Sequence, residues 1–356
     1  MKNAYLVFFA PESGELRCFD GYFKTDPREV ISAVSFCSEE ISYTDVLSDP
    51  SNGGKGVVFA YPLIGNAGLT AEEFEKNPPR AAFAIAREFT DEPSNFACAH
   101  TIGEYFEKYA LTAVCGADTR GIVKFLSDKK RTLCLITDKK PEEKEALEKL
   151  RSYKATPFIQ NVVPGVYENS LPTKLAVIDL GCGERYAGAL SHRASVRIFA
   201  PEAPIEEIKA FGADRIFISD GSEEDPVTEE ILSCVKSAVT SSIPVMAVGL
   251  GHILCARAMG AGIFEMKLGH HGSNCPVGSP GKAGSGRVYI TNQNHSLAVD
   301  PETLSKLKFE VTQINRNDGT VEAIAYKEYP VKTFAYRPDF SDDGQGTGFV
   351  YDEFLK

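Results

Sequence analysis

Short apolar runs separated by turn residues dominate the first third of the chain. Residues 4–9, 16–23, 30–36 and 56–61 have this pattern, which predicts β-strands. Helical spacing follows. Asp118 or Thr119 caps a segment in which Ile122, Phe125 and Leu126 share one face. Pro141 opens a charged helix with Leu147, Leu150 and Tyr153 turned inward. Periodicity is lost over 154–173, where three prolines and a glycine predict a linker. From Leu175 onward, continuously apolar runs (175–180, 196–199, 215–219 and 245–248) alternate with helix-like segments (205–211 and 228–240). Buried strands alternating with helices predict an α/β unit with a largely parallel sheet covered on both faces. Working sites of such sheets lie at the carboxyl ends of the strands. The turns after Leu180, Ser219 and Val248 are therefore the ones that matter. The expected division is residues 1–153, a linker 154–173, and residues 174–356.

Composition narrows the function classes. The chain has 356 residues, 43% hydrophobic and 24% charged, enough for two globular domains. Its 38 Lys+Arg against 49 Asp+Glu give a net charge of −11, which argues against nucleic acid or an anionic membrane as partner. No apolar run approaches the roughly 20 residues that span a bilayer. The opening MKNAYLVFFAPESGE reads as a first strand rather than a signal peptide. Nine single cysteines without a C-x-x-C pair suggest reduced thiols and a cytoplasmic protein.

The sharpest local signal is Ile243-Pro-Val-Met-Ala-Val-Gly-Leu-Gly-His-Ile253, a strand, a glycine-rich turn and a helix start. It has the outline of a nucleophile elbow, in which a residue at positive φ projects a nucleophile and helix-start N–H groups form an oxyanion hole. Here the apex is Gly249. An ordinary glycine-rich turn is the plain alternative.

Six ordered motifs then resemble the small, glutamine-hydrolysing subunit of carbamoyl phosphate synthetase along nearly the whole chain. Ser42-Tyr-Thr-Asp-Val-Leu-Ser-Asp-Pro-Ser51 is similar to GYQEILTDPSY, Tyr61–Gly68 to YPHIGNxG, and Asp118-Thr-Arg120 to DTR. The elbow, Leu268-Gly-His-His-Gly-Ser-Asn-Cys-Pro-Val277 (FGHHGxNHPV) and Thr291-Asn-Gln-Asn-His-Ser-Leu-Ala-Val-Asp300 (TxQNHGFAVD) follow. The resemblance implies an N-terminal α+β small-subunit domain followed by a class I, triad-type glutamine amidotransferase-like domain. It implies no cofactor and no metal.

The departures fall on the chemistry. Members of that family use cysteine, histidine and glutamate: the thiolate attacks the carboxamide, the imidazole shuttles the proton and the carboxylate orients it. Alignment sets Gly249 at the cysteine, Asp339 at the histidine and Ser341 at the glutamate, and no histidine follows His295. The glutamine-contacting Gln of the elbow is Ile253, the SNGPGDP turn is Ser219-Asp-Gly-Ser-Glu-Glu-Asp-Pro226, and N-H-G-F is Asn294-His295-Ser296-Leu297. The ligand-cleft candidates are therefore Ser51, Gly221, Leu250, Ile253, Asn294, Ser296 and Leu297. Cys255 and His252 read as packed residues. His270, His271 and Cys275 carry zinc-ligand chemistry but read as structural. The run Glu223-Glu224-Asp225 reads as favourable charge at a helix start, with a cationic-ligand site as the alternative.

The expectation is a homologue unable to hydrolyse glutamine that acts as scaffold or regulator of a large synthetase subunit. One alternative is a free-standing pseudoenzyme holding a small molecule in the remodelled cleft. The other is a residual amidotransferase supplying ammonia for carbamoyl phosphate in arginine or pyrimidine synthesis.

Overall fold

The computed structural model describes residues 1–38, 43–155, 165–281, 286–340 and 346–356. The chain divides into two compact units, Met1–Pro157 and Phe158–Lys356.

The first unit is a closed barrel. Its strands run in the order Asn3–Ala10, Glu15–Phe23, Thr112–Cys115, Phe83–Ile85, Gly56–Phe59, Val30–Cys37 and Leu133–Thr137, which pairs back onto the first. Closure leaves no unpaired sheet edge. The strand period of two divides Asn3–Ala10 between two cores. Ala4, Leu6, Phe8 and Ala10 point into one cluster with Val58, Phe83, Val114 and Ile136. Val7 and Phe9 face Ala146 and Leu150 on the outside. The helix Thr119–Ser127 is capped by Asp118, whose carboxylate accepts from the Gly121 N–H at 3.0 Å, and it delivers Ile122, Phe125 and Leu126 to the inner cluster. The charged helix begins at Glu143, two residues beyond Pro141, which lies outside it.

The second unit is one ten-stranded sheet. Its centre is parallel: Ser195–Phe199, Lys174–Ile178, Arg215–Ile218, Val245–Val248 and Val331–Phe334, in that order. The strand Val245–Val248 is apolar throughout, and Lys174–Ile178 and Arg215–Ile218 are apolar beyond their first residues, because both faces of the sheet are covered here. Ile178, Ile218 and Ala247 meet the helices Ile205–Phe211, Glu229–Val239 and Leu250–Ala258 on one side. Val177, Phe217 and Val248 meet Gly183–Leu190 and Phe349–Leu355 on the other.

Beyond Val331–Phe334 the sheet continues as an antiparallel arm through Val321–Tyr326, Phe309–Asn315, Ile263–Gly278 and Val288–Val299. The run expected as linker is not uniformly irregular. Val166–Tyr167 form an edge strand against Ser195–Phe199, while 156–164 lie outside the described residues. No helix among the described residues is long and apolar enough to cross a membrane.

Candidate functional site

Three parallel strand tips converge at the candidate site. The middle one, Val245–Val248, is fully buried and ends at Gly249, which caps the helix Leu250–Ala258 with φ 53° and ψ −121°. Side chains rarely tolerate that backbone conformation, whereas glycine adopts it without a Cβ penalty. The elbow geometry is therefore present, and its apex carries no side chain.

The neighbouring strand Arg215–Ile218 leads into Ser219 and Asp220. The Asp220 carboxylate fills the elbow. Its Oδ1 accepts from the Leu250 N–H at 2.8 Å and from the Gly221 N–H at 2.8 Å. Its Oδ2 accepts from Arg337 Nε at 2.8 Å, and the pair is buried, with side chains 6% and 9% exposed. Arg337 follows the third strand, Val331–Phe334, and its backbone N–H donates to the Asn292 carbonyl at 3.0 Å. A Cβ built on Gly249 would collide with the Asp220 carboxylate. The bare apex and the Asp220 carboxylate thus fit together, because the carboxylate lies where a side chain on residue 249 would begin. Two backbone donors that could hold a developing oxyanion instead hold a carboxylate of the chain itself, and the Arg337 guanidinium pairs with it.

A second carboxylate from the same turn reaches the antiparallel arm. Glu223 Oε1 accepts from the N–H groups of Ser296 (3.0 Å) and Leu297 (2.9 Å), and Oε2 also accepts from Ser296 N–H at 2.9 Å. The reading of this run as helix-start charge is corrected by the structure. The following helix begins only at Glu229, with Thr228 as its cap, and Glu223 is spent on the arm.

A cleft of about 440 Å³ lies beside this turn, lined by Glu223, Leu250, Ile253, Arg257 and Leu297 among others. Of the sequence candidates, Leu250, Ile253 and Leu297 line it. Gly221 sits at the elbow, paired with Gly181, where any Cβ would strike the Leu180 carbonyl. Asn294 Oδ1 lies 2.7 Å from His271 Nδ1, and Ser296 Oγ lies 3.4 Å from His271 Nε2. Ser51 belongs to the first unit. It is buried there, and both its N–H and its hydroxyl donate to Asp49 Oδ1 at 2.9 Å.

Asp339 does not reach the elbow contacts of Asp220. Its Oδ2 accepts from the Thr347 N–H (3.2 Å) and hydroxyl (3.0 Å), tying its loop to the segment before the last helix. Ser341 lies outside the described residues. Sequence reasoning passed over Asp220, Glu223 and Arg337 as partners. The available signal was an acidic residue in the glycine-rich turn together with a new arginine two strands away.

No imidazole or thiol in the elbow helix substitutes for the missing nucleophile. His252 is fully buried with Nδ1 2.7 Å from Thr333 Oγ1, and burial, helped by His295, lowers its pKa to about 3. Cys255 is packed in the core, where burial pushes its thiol far above the ordinary range.

The two adjacent histidines of the arm diverge. His271 turns to Asn294, while His270 sits between Glu322 Oε1 (3.1 Å) and Asp318 Oδ2 (2.9 Å). Burial alone would lower the pKa of His270, but those hydrogen bonds and charges outweigh it, and the net direction is upward. His270, His295 and Glu322 bring ligand atoms within 4.8 Å of one another, the one such trio among the described residues. Cys275 is not part of it. Its Sγ faces the Gly272 carbonyl at 3.9 Å, and burial pushes its pKa to about 11.

Comparison with known proteins identifies the family. Residues 176–356 match the family model of glutamine amidotransferase class-I, and residues 13–136 match that of the carbamoyl-phosphate synthase small chain, CPSase domain. The carbamoyl phosphate synthase small chain of Archaeoglobus fulgidus is 31% identical over 91% of this chain and 91% of its own length. That of Staphylococcus epidermidis is 30% identical over 100% of this chain and 96% of its own length. Among solved structures, a glutamine amidotransferase from Thermotoga maritima aligns with a TM-score of 0.35 at 15% identity, covering 46% of this chain and 75% of that one. On the family models and the full-length relatives, the chain belongs to the carbamoyl-phosphate synthase small-chain family, with a class-I glutamine amidotransferase domain as its second half.

Proposed function

We propose that this small-chain homologue does not hydrolyse glutamine and serves a large synthetase subunit as a scaffold or regulatory partner. The observation that carries the reading is the occupied elbow: Gly249 offers no nucleophile, and Asp220 holds the Leu250 and Gly221 donors. Hydrolysis would need that space for a thiolate and those donors for the tetrahedral oxyanion. In other hydrolases, losing a member of a coupled catalytic triad costs up to about a million-fold in turnover.

The geometry also suggests a different alignment of the last motif. Setting Arg337-Pro338-Asp339 against H-P-E keeps the proline in register and places Arg337 at the base position and Asp339 at the orienting carboxylate. This is two residues upstream of the placement at Asp339 and Ser341. A guanidinium stays protonated at working pH and accepts no proton, so the base is lost under either alignment. The barrel unit has no part in triad chemistry, and its match to the small-chain model is what supports a retained partner.

The test is to co-express the chain with a large synthetase subunit and to purify the complex. The expected complex makes carbamoyl phosphate from free ammonia and not from glutamine. Failure of the two chains to co-purify, or synthesis that runs on glutamine, contradicts the proposal.

A further inference from the structure

The cleft beside the elbow contains a second pair of converging donors, and the chain's own side chain already occupies it. The adjacent N–H groups of Ser296 and Leu297 point at one carboxylate, with three donor–acceptor distances of 2.9–3.0 Å. Two neighbouring backbone donors facing one carboxylate make a small anion site, and charge-assisted bonds of this length are the strong ones. The occupant comes from residue 223, only three positions after the carboxylate that fills the oxyanion donors. The cleft is also lined by Leu250, Ile253, Leu297 and Arg257. A bound molecule with an apolar body and one carboxylate would present the same groups that Glu223 presents from within.

We propose that Glu223 is a built-in ligand: it closes the carboxylate-binding end of the cleft, so that the native chain refuses small free carboxylates, amino acids included. This deepens the reading of the site as a remodelled cleft, and rests on that reading only for the identification of the pocket. Glu223 is the specificity-determining residue because its oxygens and an incoming carboxylate compete for the same two N–H groups. Glu223 is half-buried, unlike the fully buried Asp220 beside it, so its carboxylate can be removed and replaced from solvent.

The test is chemical rescue. In Glu223→Ala, the Ser296 and Leu297 donors lose their acceptor. Sodium acetate should then raise the melting temperature saturably by about 2–5 °C over equal sodium chloride, as expected for a ligand that binds only the folded state. The native chain should show no acetate-specific shift. Amide resonances of Ser296 and Leu297 in the variant should move with acetate and not with chloride. In a second variant, Glu223→Gln, the neutral amide still fills the space. It should fold, show weaker hydrogen-bond shifts at the same two amides, and refuse acetate.

An equal acetate response in native protein and Glu223→Ala overturns the proposal, as does no acetate-specific response in Glu223→Ala. If Glu223→Ala fails to fold, unchanged Ser296 and Leu297 amides in Glu223→Gln overturn it. Ammonia release from glutamine is measured on the same samples. Turnover there would sink the non-hydrolytic reading while leaving the acetate result to be judged separately.

Discussion

Two carboxylates from one turn meet two pairs of backbone donors, and their surroundings differ. Asp220 is buried against the guanidinium of Arg337, between three parallel strand tips. Glu223 is half-buried, reaches across to the antiparallel arm and lines a cleft. A buried charge is tolerable only with its partner in place, so the first arrangement is locked into the fold. The second can open without uncovering a charge in the core. On the proposed reading, the first removes the hydrolytic chemistry and the second governs what the remaining cleft admits.

The sharpest way to break that comparison is to take away the counter-ion. Arg337→Met leaves the Asp220 carboxylate buried without its guanidinium and should cost about 3–5 kcal/mol in urea unfolding. The double variant Asp220→Ala/Arg337→Met should recover part of that loss, because neither charge is then stranded. A cost for Arg337→Met no larger than that of Glu223→Ala would erase the distinction between locked and exchangeable.

A smaller effect is expected from Gly249→Cys. The φ of 53° strains any side chain by about 1–3 kcal/mol, and the new Cβ must displace the Asp220 carboxylate. The variant should be less stable and should still release no ammonia, because a returned thiol finds neither base nor free donors. Recovery of turnover by this one substitution would show that Asp220 yields as readily as Glu223.

The smallest effect at neutral pH, one that grows only on acidification, tests the buried bystander His252. Its pKa is depressed to about 3, by burial first, so the folded state excludes a proton that the unfolded state binds below about 6.5. Its contribution to stability therefore falls as pH drops from about 6.5 toward 3, by up to about 1.4 kcal/mol per pH unit. His270 works in the opposite sense. Its raised pKa contributes stability below the usual value, which is lost as pH rises through the folded value. Unfolding of His252→Gln across this range should lack the acid-side slope of one proton. An unchanged slope would mean that His252 is not held neutral.

Four of the five parallel strands of the second unit were legible in the sequence because strands covered on both faces are largely apolar; Val331–Phe334, with Lys332 and Thr333 in its short run, was not assigned. Val245–Val248 and Arg215–Ile218 lie where continuous apolar runs predict them. The antiparallel arm was not assigned. Ile263–Gly278 is half-exposed, polar and interrupted by register shifts after Glu265 and Gly272, so no clean period of two survives. Barrel closure was also invisible, because period and length do not say which strand pairs with which.

At the site, the glycine of the elbow was readable as an absence. What replaced the missing thiol was not, since Asp220, Gly249 and Arg337 are brought together by three separate strands. Aligning the last motif on residue spacing also overlooked Arg337, whose role shows only once its side chain meets Asp220.

The most direct measurement is ammonia release from millimolar glutamine by the purified native chain, with mass spectrometry for a covalent glutamyl adduct. The account predicts release no faster than in buffer and no adduct on any of the nine cysteines. Steady turnover that disappears on substituting a residue of the elbow or of the Glu223 cleft would contradict it.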